Sequence, residues 1–153
     1  MKCCGFTGHR DIPEDKKEYV TQEIRREVEQ AVADGFTRFI GGFAEGADLI
    51  FASAVFEMKK DNPDIVLDAA IPFPGRLDTG DELFHELLKQ CGNVWYASKK
   101  YTPDSYRSRN NYIVKNAERI IAVFGGRAKS GTGQTIRMAE KLERELRIIR
   151  IDE

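Results

Sequence analysis

The chain has 153 residues, 41% of them hydrophobic and 32% charged, which suits one globular domain with an ordinary buried core. Its 24 Lys and Arg nearly balance 25 Asp and Glu, for a net charge of −1. The basic stripe of a duplex-binding protein is therefore not expected, and nucleic acid is disfavoured as a partner. No signal-peptide core follows Met1, and the longest apolar stretch, 47–56, contains Asp48 and is too short to cross a bilayer, so the expectation is a cytosolic protein without membrane contact.

Strand-like and helix-like periodicity alternate along the chain. Residues 2–7 form a short first strand that ends in Thr7-Gly8-His9-Arg10. Cys3 and Cys4 fall in it on opposite faces. With Cys91 they make an odd, reduced set, expected as three buried thiols. Pro13 opens a helix in which Val20, Ile24, Val28, Ala31 and Val32 recur at helical spacing up to a capping Gly35. A second strand over 37–41 leads into Gly41-Gly42-Phe43-Ala44-Glu45-Gly46-Ala47-Asp48, then a helix over 46–60 that is apolar nearly all round.

A buried strand over 65–71 ends at Pro72, a short amphipathic helix covers 81–90, and 93–97 reads as a strand nearer an edge. A helix over 103–116, a strand over 119–124, a basic amphipathic helix over 133–145 and a last strand over 147–151 follow. The fold class is α/β: a single Rossmann-like domain over 1–153, with a mainly parallel sheet of about six strands and helices on both faces.

Three glycine-bearing turns follow strands directly: Gly8 after the first, Gly41 to Gly46 after the second, and Gly125-Gly126 running on to Gly131-Thr132-Gly133 after the fifth. Such turns, feeding helices, let backbone N–H groups converge on an anion. The carboxyl edge of the sheet is thus expected to take a phosphorylated ligand. Two familiar phosphate loops fail. Gly126 and Gly131 have the GxxxxG spacing, but Thr132 stands where a Walker A loop needs lysine, and Ile136 occupies the third glycine position of the GxGxxG that Gly131 begins. His9 and His85 lack partners at ligand spacing, so no metal is expected.

Five segments carry a resemblance. They are Phe6-Thr7-Gly8-His9-Arg10; Ile40-Gly41-Gly42 with Gly46 and Asp48; Ala69-Ala70-Ile71-Pro72-Phe73; Arg109-Asn110-Asn111-Tyr112-Ile113-Val114; and the run from Ile120 to Gly126 with Gly131, Thr132 and Thr135. In this order the set resembles the SLOG superfamily, and within it the YpsA-like group, over nearly the whole chain. The resemblance implies a nucleotide-derived ligand (a nucleotide, ADP-ribose or an NAD-like molecule) and no required cofactor.

The superfamily includes cytokinin-activating phosphoribohydrolases and DprA, and the chain departs from both. Thr135 stands where the phosphoribohydrolase signature has its glutamate, and a hydroxyl does not stabilise an oxocarbenium-like centre as a carboxylate does. Glu45 stands where the DprA-like pattern has arginine. Arg76-Leu77-Asp78 replace the glutamine and tryptophan often found there in YpsA-like chains.

Candidate ligand contacts are Thr7, Gly8, His9, Arg10, Gly41, Gly42, Glu45, Gly46, Asp48, Pro72, Arg109, Asn110, Gly125, Gly126, Gly131, Thr132, Gly133 and Thr135. Phosphates are expected over the Gly41–Gly46 and Gly131–Gly133 turns, with Arg10 or Arg109 as counter-charge and Asp48 on a sugar hydroxyl. The competing reading makes the glycines simple turn-formers and Asp48 a helix-end carboxylate. Glu45, Asp48 and Asp81 are the carboxylates available for catalysis; Trp95, Tyr96 and Tyr101 are rings that either stack on a base or pack the core and edge.

Three functions stay open: a small-molecule sensor or regulatory module for a nucleotide-derived ligand, an N-glycosidase of phosphoribohydrolase type, and a protein-binding scaffold with a vestigial pocket. The partner beyond the ligand is a second copy of the chain, packed on the 47–58 helix, or an unidentified protein.

Overall fold

The computed structural model describes residues 2–152; Met1 and Glu153, the ends of the expected 1–153 span, lie outside them. Strands β1 (Cys3–Gly8), β2 (Arg38–Gly41), β3 (Val66–Ile71), β4 (Asn93–Tyr96), β5 (Arg119–Phe124) and β6 (Glu145–Arg150) alternate with helices α1 (Lys17–Ala33), α2 (Ala47–Asp61), α3 (Glu82–Lys89), α4 (Ser105–Asn116) and α5 (Gly131–Lys141). Among the described residues the strands make one sheet in the order β4-β3-β2-β1-β5-β6, parallel at every pairing. This is the Rossmann-like α/β arrangement that the periodicity implies. No described helix is long and apolar enough to cross a membrane.

A parallel sheet has to be covered on both faces. On one face lie Cys4, Phe6, Phe39 and Leu67, under the α1 stripe of Val20, Ile24, Val28 and Ala31 and under Phe51 and Val55 of α2. On the other, Cys3, Ile40 and Ala70 meet Ile113 and Val114 of α4 and Ala139 of α5. The adjacent cysteines thus face opposite layers, and burial pushes the Cys3 thiol up to about 12 and Cys4 higher still, leaving both as inert thiols. Cys91 departs from expectation in being only half-buried.

Local chemistry moves one helix from its expected span. α5 begins at Gly131 rather than at 133 because Ser130 caps it, its Oγ accepting the Gly133 N–H at 3.0 Å. It ends at Lys141 rather than 145: Glu143 takes φ 57° and the Arg144 N–H returns to the Ala139 carbonyl at 2.9 Å. Glu145 therefore opens β6, where its carboxylate accepts the Arg119 Nε–H at 3.0 Å.

The strand order fixes where a ligand fits. The chain runs outward from β1 through β2 and β3 to β4, then returns to place β5 on the other side of β1. α1 follows β1 to one face and α5 follows β5 to the other. A crevice opens between them at the carboxyl ends of the strands.

Candidate functional site

The crevice holds a cavity of about 360 Å³. Its floor is the end of β1, Phe6 to Gly8, and its walls come from His9 to Asp11, Gly42 and Ala44 after β2, Asp48 of α2, Tyr106, Arg109, Asn110 and Ile113 of α4, and Arg127 with Ser130 to Thr132 at the start of α5. The sheet brings the three glycine turns to one place although they are far apart in sequence.

Arg109 dominates the interior. It is 6% exposed, its Nη1 donates to the Gly42 carbonyl at 2.8 Å and its Nε donates to the Asn110 side-chain oxygen at 2.7 Å. The approach is close enough that a Cβ on Gly42 would sit 2.5 Å from Nη1. Among the described residues, no carboxylate lies at ion-pair distance from this guanidinium. Asp48 feels its charge without touching it.

Asp48 is itself 5% exposed and accepts the Ala44 N–H at 3.0 Å, fastening the turn after β2. Burial pushes its carboxyl up to about 6, against the pull of Arg109, the Ala44 N–H and Arg10. Burial likewise lowers Arg109, while Asp48 supports its charge and Arg10 opposes it. Arg10 lies over the Tyr106 ring at 5.2 Å and Arg109 over the same ring at 5.5 Å. At the rim, Arg127 forks onto Asp11 at 2.8 and 3.3 Å.

His9 lines the cavity but is committed to the fold. A backbone N–H only donates, so the Gly125 N–H, 2.7 Å from Nε2, fixes that nitrogen as the acceptor and the ring as neutral. Burial, then Arg127, lowers its pKa in the same direction. Three turn N–H groups expected to meet phosphate are thus already engaged: Ala44 by Asp48, Gly125 by His9 and Gly133 by Ser130. Gly131 and Thr132, in the first turn of α5, also line the cavity, and the first N–H groups of a helix have no intrahelical acceptor.

Of the expected contacts, Thr7, Gly8, His9, Arg10, Gly42, Asp48, Arg109, Asn110, Gly131 and Thr132 line the cavity. Gly41, Glu45, Gly46, Pro72, Gly125, Gly126, Gly133 and Thr135 do not. Gly41 packs on Phe51, and Gly46 serves as the α2 N-cap at φ 74°, where a Cβ would meet the Arg10 carbonyl at 2.4 Å. Gly126 lies against Asp152, and Thr135 is buried with its hydroxyl donated to the Gly131 carbonyl at 2.8 Å. Glu45 is exposed, and Asp81 caps α3 through the Phe84 N–H, so Asp48 is the one catalytic candidate that lines the cavity.

Tyr106 lines the cavity beside Phe6 and His9 and is absent from the expected contacts; its i,i+3 spacing to Arg109 on α4 is the signal the sequence holds for it. Trp95 instead stacks on Tyr112 at 3.8 Å, Tyr96 packs against the larger core, and Tyr101 is 63% exposed beside Phe73.

Comparison with known proteins agrees with this architecture. The YpsA model, described as the YspA SLOG family, matches residues 8–153. A UPF0398 protein of Bacillus thuringiensis (strain Al Hakam) is 27% identical over 135 residues, covering 84% of this chain and 73% of that protein, and the UPF0398 protein of Bacillus cereus (strain Q1) matches equally. Among solved structures, DNA processing protein A from Helicobacter pylori, described by its single-stranded DNA binding mode, superposes with a TM-score of 0.69 at 19% identity. That match covers 96% of this chain and spans 64% of the other. The structural-genomics target TM1055 superposes with a TM-score of 0.63 at 15% identity, over 95% of this chain and 72% of the other. These two likenesses concern the fold.

Proposed function

The chain belongs to the YspA SLOG family, and from that membership we propose that the cavity beside β1 and β5 binds a phosphorylated, nucleotide-derived ligand as a sensor or regulatory module. The observation that carries this is Arg109: a buried guanidinium lining a cavity with no carboxylate at ion-pair distance among the described residues. A buried charge is costly unless paired and hydrogen-bonded, and Asp48 supports this one only from beyond ion-pair distance. An anion supplied from solution would meet Arg109, Arg10 and the open N-terminus of α5 together. Tyr106 offers a ring for a base or sugar face, and the cavity volume falls within the roughly 300–1,000 Å³ range of small-ligand sites.

A hydrolytic reading rests on a separate observation. Asp48 faces the cavity with its carboxyl raised to about 6, poised to exchange a proton near neutrality. Cleavage of an N-glycosidic bond would use this group, with neither Glu45 nor Asp81 in reach.

A thermal-shift panel of AMP, ADP, ADP-ribose, NAD and an oligothymidylate tests both readings, each mixture being assayed afterwards for released base. A ligand at about a hundredfold excess over its Kd adds about 2.7 kcal/mol of stability. The binding reading expects such a shift with at least one nucleotide, intact afterwards, and its loss in Arg10→Gln. Released base, abolished in Asp48→Asn, would transfer the assignment to the hydrolase. Stabilisation by the oligothymidylate alone would extend the Helicobacter pylori neighbour's property to this chain, and no shift at all would overturn the nucleotide site.

A further inference from the structure

A second and larger concavity lies on the outer face of α4 and α5. Its volume is about 830 Å³, and it shares no lining residue with the nucleotide cavity. Arg107 and Lys115 line it from α4, Arg137 and Lys141 from α5, with Met138 and Leu142 between them. Leu142 is 39% exposed, a large apolar side chain left open among cations.

The charge here is one-sided. α4 contains no acidic residue and α5 only Glu140, which does not line the groove. Elsewhere on the surface several helical cations pair with acids: Lys17 with Glu14, Arg26 with Glu23, Lys60 with Glu57. In the groove, Arg107, Lys115, Arg137 and Lys141 form none of the ion pairs found among the described residues. At one end Arg144 adds a further cation, its guanidinium held on the Val114 and Lys115 carbonyls at 3.1 and 3.2 Å. Asp104 supplies the one acid of the lining, at the start of α4. In a chain of net charge −1, this is segregation rather than excess.

The lining also selects among polyanions. Single-stranded nucleic acid is held by aromatic platforms as well as charge, and the groove has none. The aromatic residues of α4 are used elsewhere, Tyr106 in the nucleotide cavity and Tyr112 against Trp95. What the groove offers is two rows of cations, spaced by about 6 Å (one turn) on α5 and about 12 Å on α4, flanking an adaptable methionine and an exposed leucine. An acidic helix with one apolar stripe matches both features at once. We propose that the α4–α5 groove docks an acidic amphipathic helix of a partner protein.

The test is fluorescence anisotropy with a labelled peptide of about 15 residues, glutamate on its polar face and leucine at helical spacing. A scrambled peptide of identical composition and an oligothymidylate serve as comparisons. The amphipathic peptide is expected to bind about tenfold or more tightly than the scramble. It should weaken by a similar factor in the Arg107→Glu, Lys141→Glu double variant, and again when ionic strength rises from about 0.1 M to about 1 M and contracts the Debye length. Circular dichroism checks that the variant, altered only at exposed positions, stays folded. Equal binding of the scramble, tighter binding of the oligothymidylate, binding indifferent to the charge reversals, or no binding overturns the proposal.

Discussion

Asp48 and His9 carry opposite signs in their response to pH, and each can be read separately. The Asp48 carboxyl is raised from its ordinary 3.8 to about 6 in the folded protein. Between these values the folded state holds a proton that the unfolded chain has lost, so Asp48 contributes stability that is fully present below pH 3.8 and lost as pH rises through about 6. In Asp48→Asn that slope disappears. Urea denaturation of both proteins from pH 4 to 7 should show the wild type losing stability relative to the variant as pH rises, by up to about 1.4 kcal/mol per unit. His9 is lowered instead, so its contribution is present above 6.5 and lost as pH falls below it. His9→Ala should remove that acid-side loss and cost about 1 kcal/mol at neutral pH, since the half-buried Gly125 N–H loses its acceptor.

The same scale shows what the sequence left hidden. Arg109 and Asn110 were legible as candidates because a guanidinium suits phosphate. That Arg109 would be buried against the Gly42 carbonyl depended on β2 and α4 meeting across the sheet, 67 positions apart in the chain. The role of His9 as an acceptor for β5's following turn was hidden for the same reason, at a separation of 116.

At the scale of elements, helix starts decide the site. Gly46 is the N-cap of α2, and its φ of 74° and tight contact with the Arg10 carbonyl leave no room for a side chain. Gly46→Ala is expected to cost about 1–3 kcal/mol by denaturant unfolding, and to weaken nucleotide binding by displacing Arg10. α5 begins one residue after Ser130, and Ser130→Ala should cost about 1 kcal/mol while leaving the m-value unchanged.

Helix interiors were easy to read from apolar spacing, as the fully buried Val20, Ile24 and Val28 illustrate. Ends were harder. The sequence pattern continues past Lys141, and only the left-handed turn at Glu143 stops the helix there, at a residue whose type gives no warning. Gly131 signalled a loop by composition, yet it opens α5, because a capping serine outweighs its low helix propensity.

For the molecule as a whole, strand order is the property from which function follows. The six-strand alternation was legible in the sequence, but the order was not, since periodicity carries no information about which strands are neighbours. Placing β5 beside β1 converts three dispersed glycine turns into one crevice and leaves Gly41, Glu45 and Pro72 outside it. The same arrangement gives α4 and α5 two lining faces, one toward the cavity beside β1 and one toward the basic groove.

An amide NMR titration with AMP reads out where the ligand sits. The largest shifts are expected on Gly131 and Thr132, on the loop from His9 to Asp11 and on the Arg109 side chain. Shifts confined to Gln134 and Lys141 in the outer groove, or to the α2–α3 face, would contradict that placement.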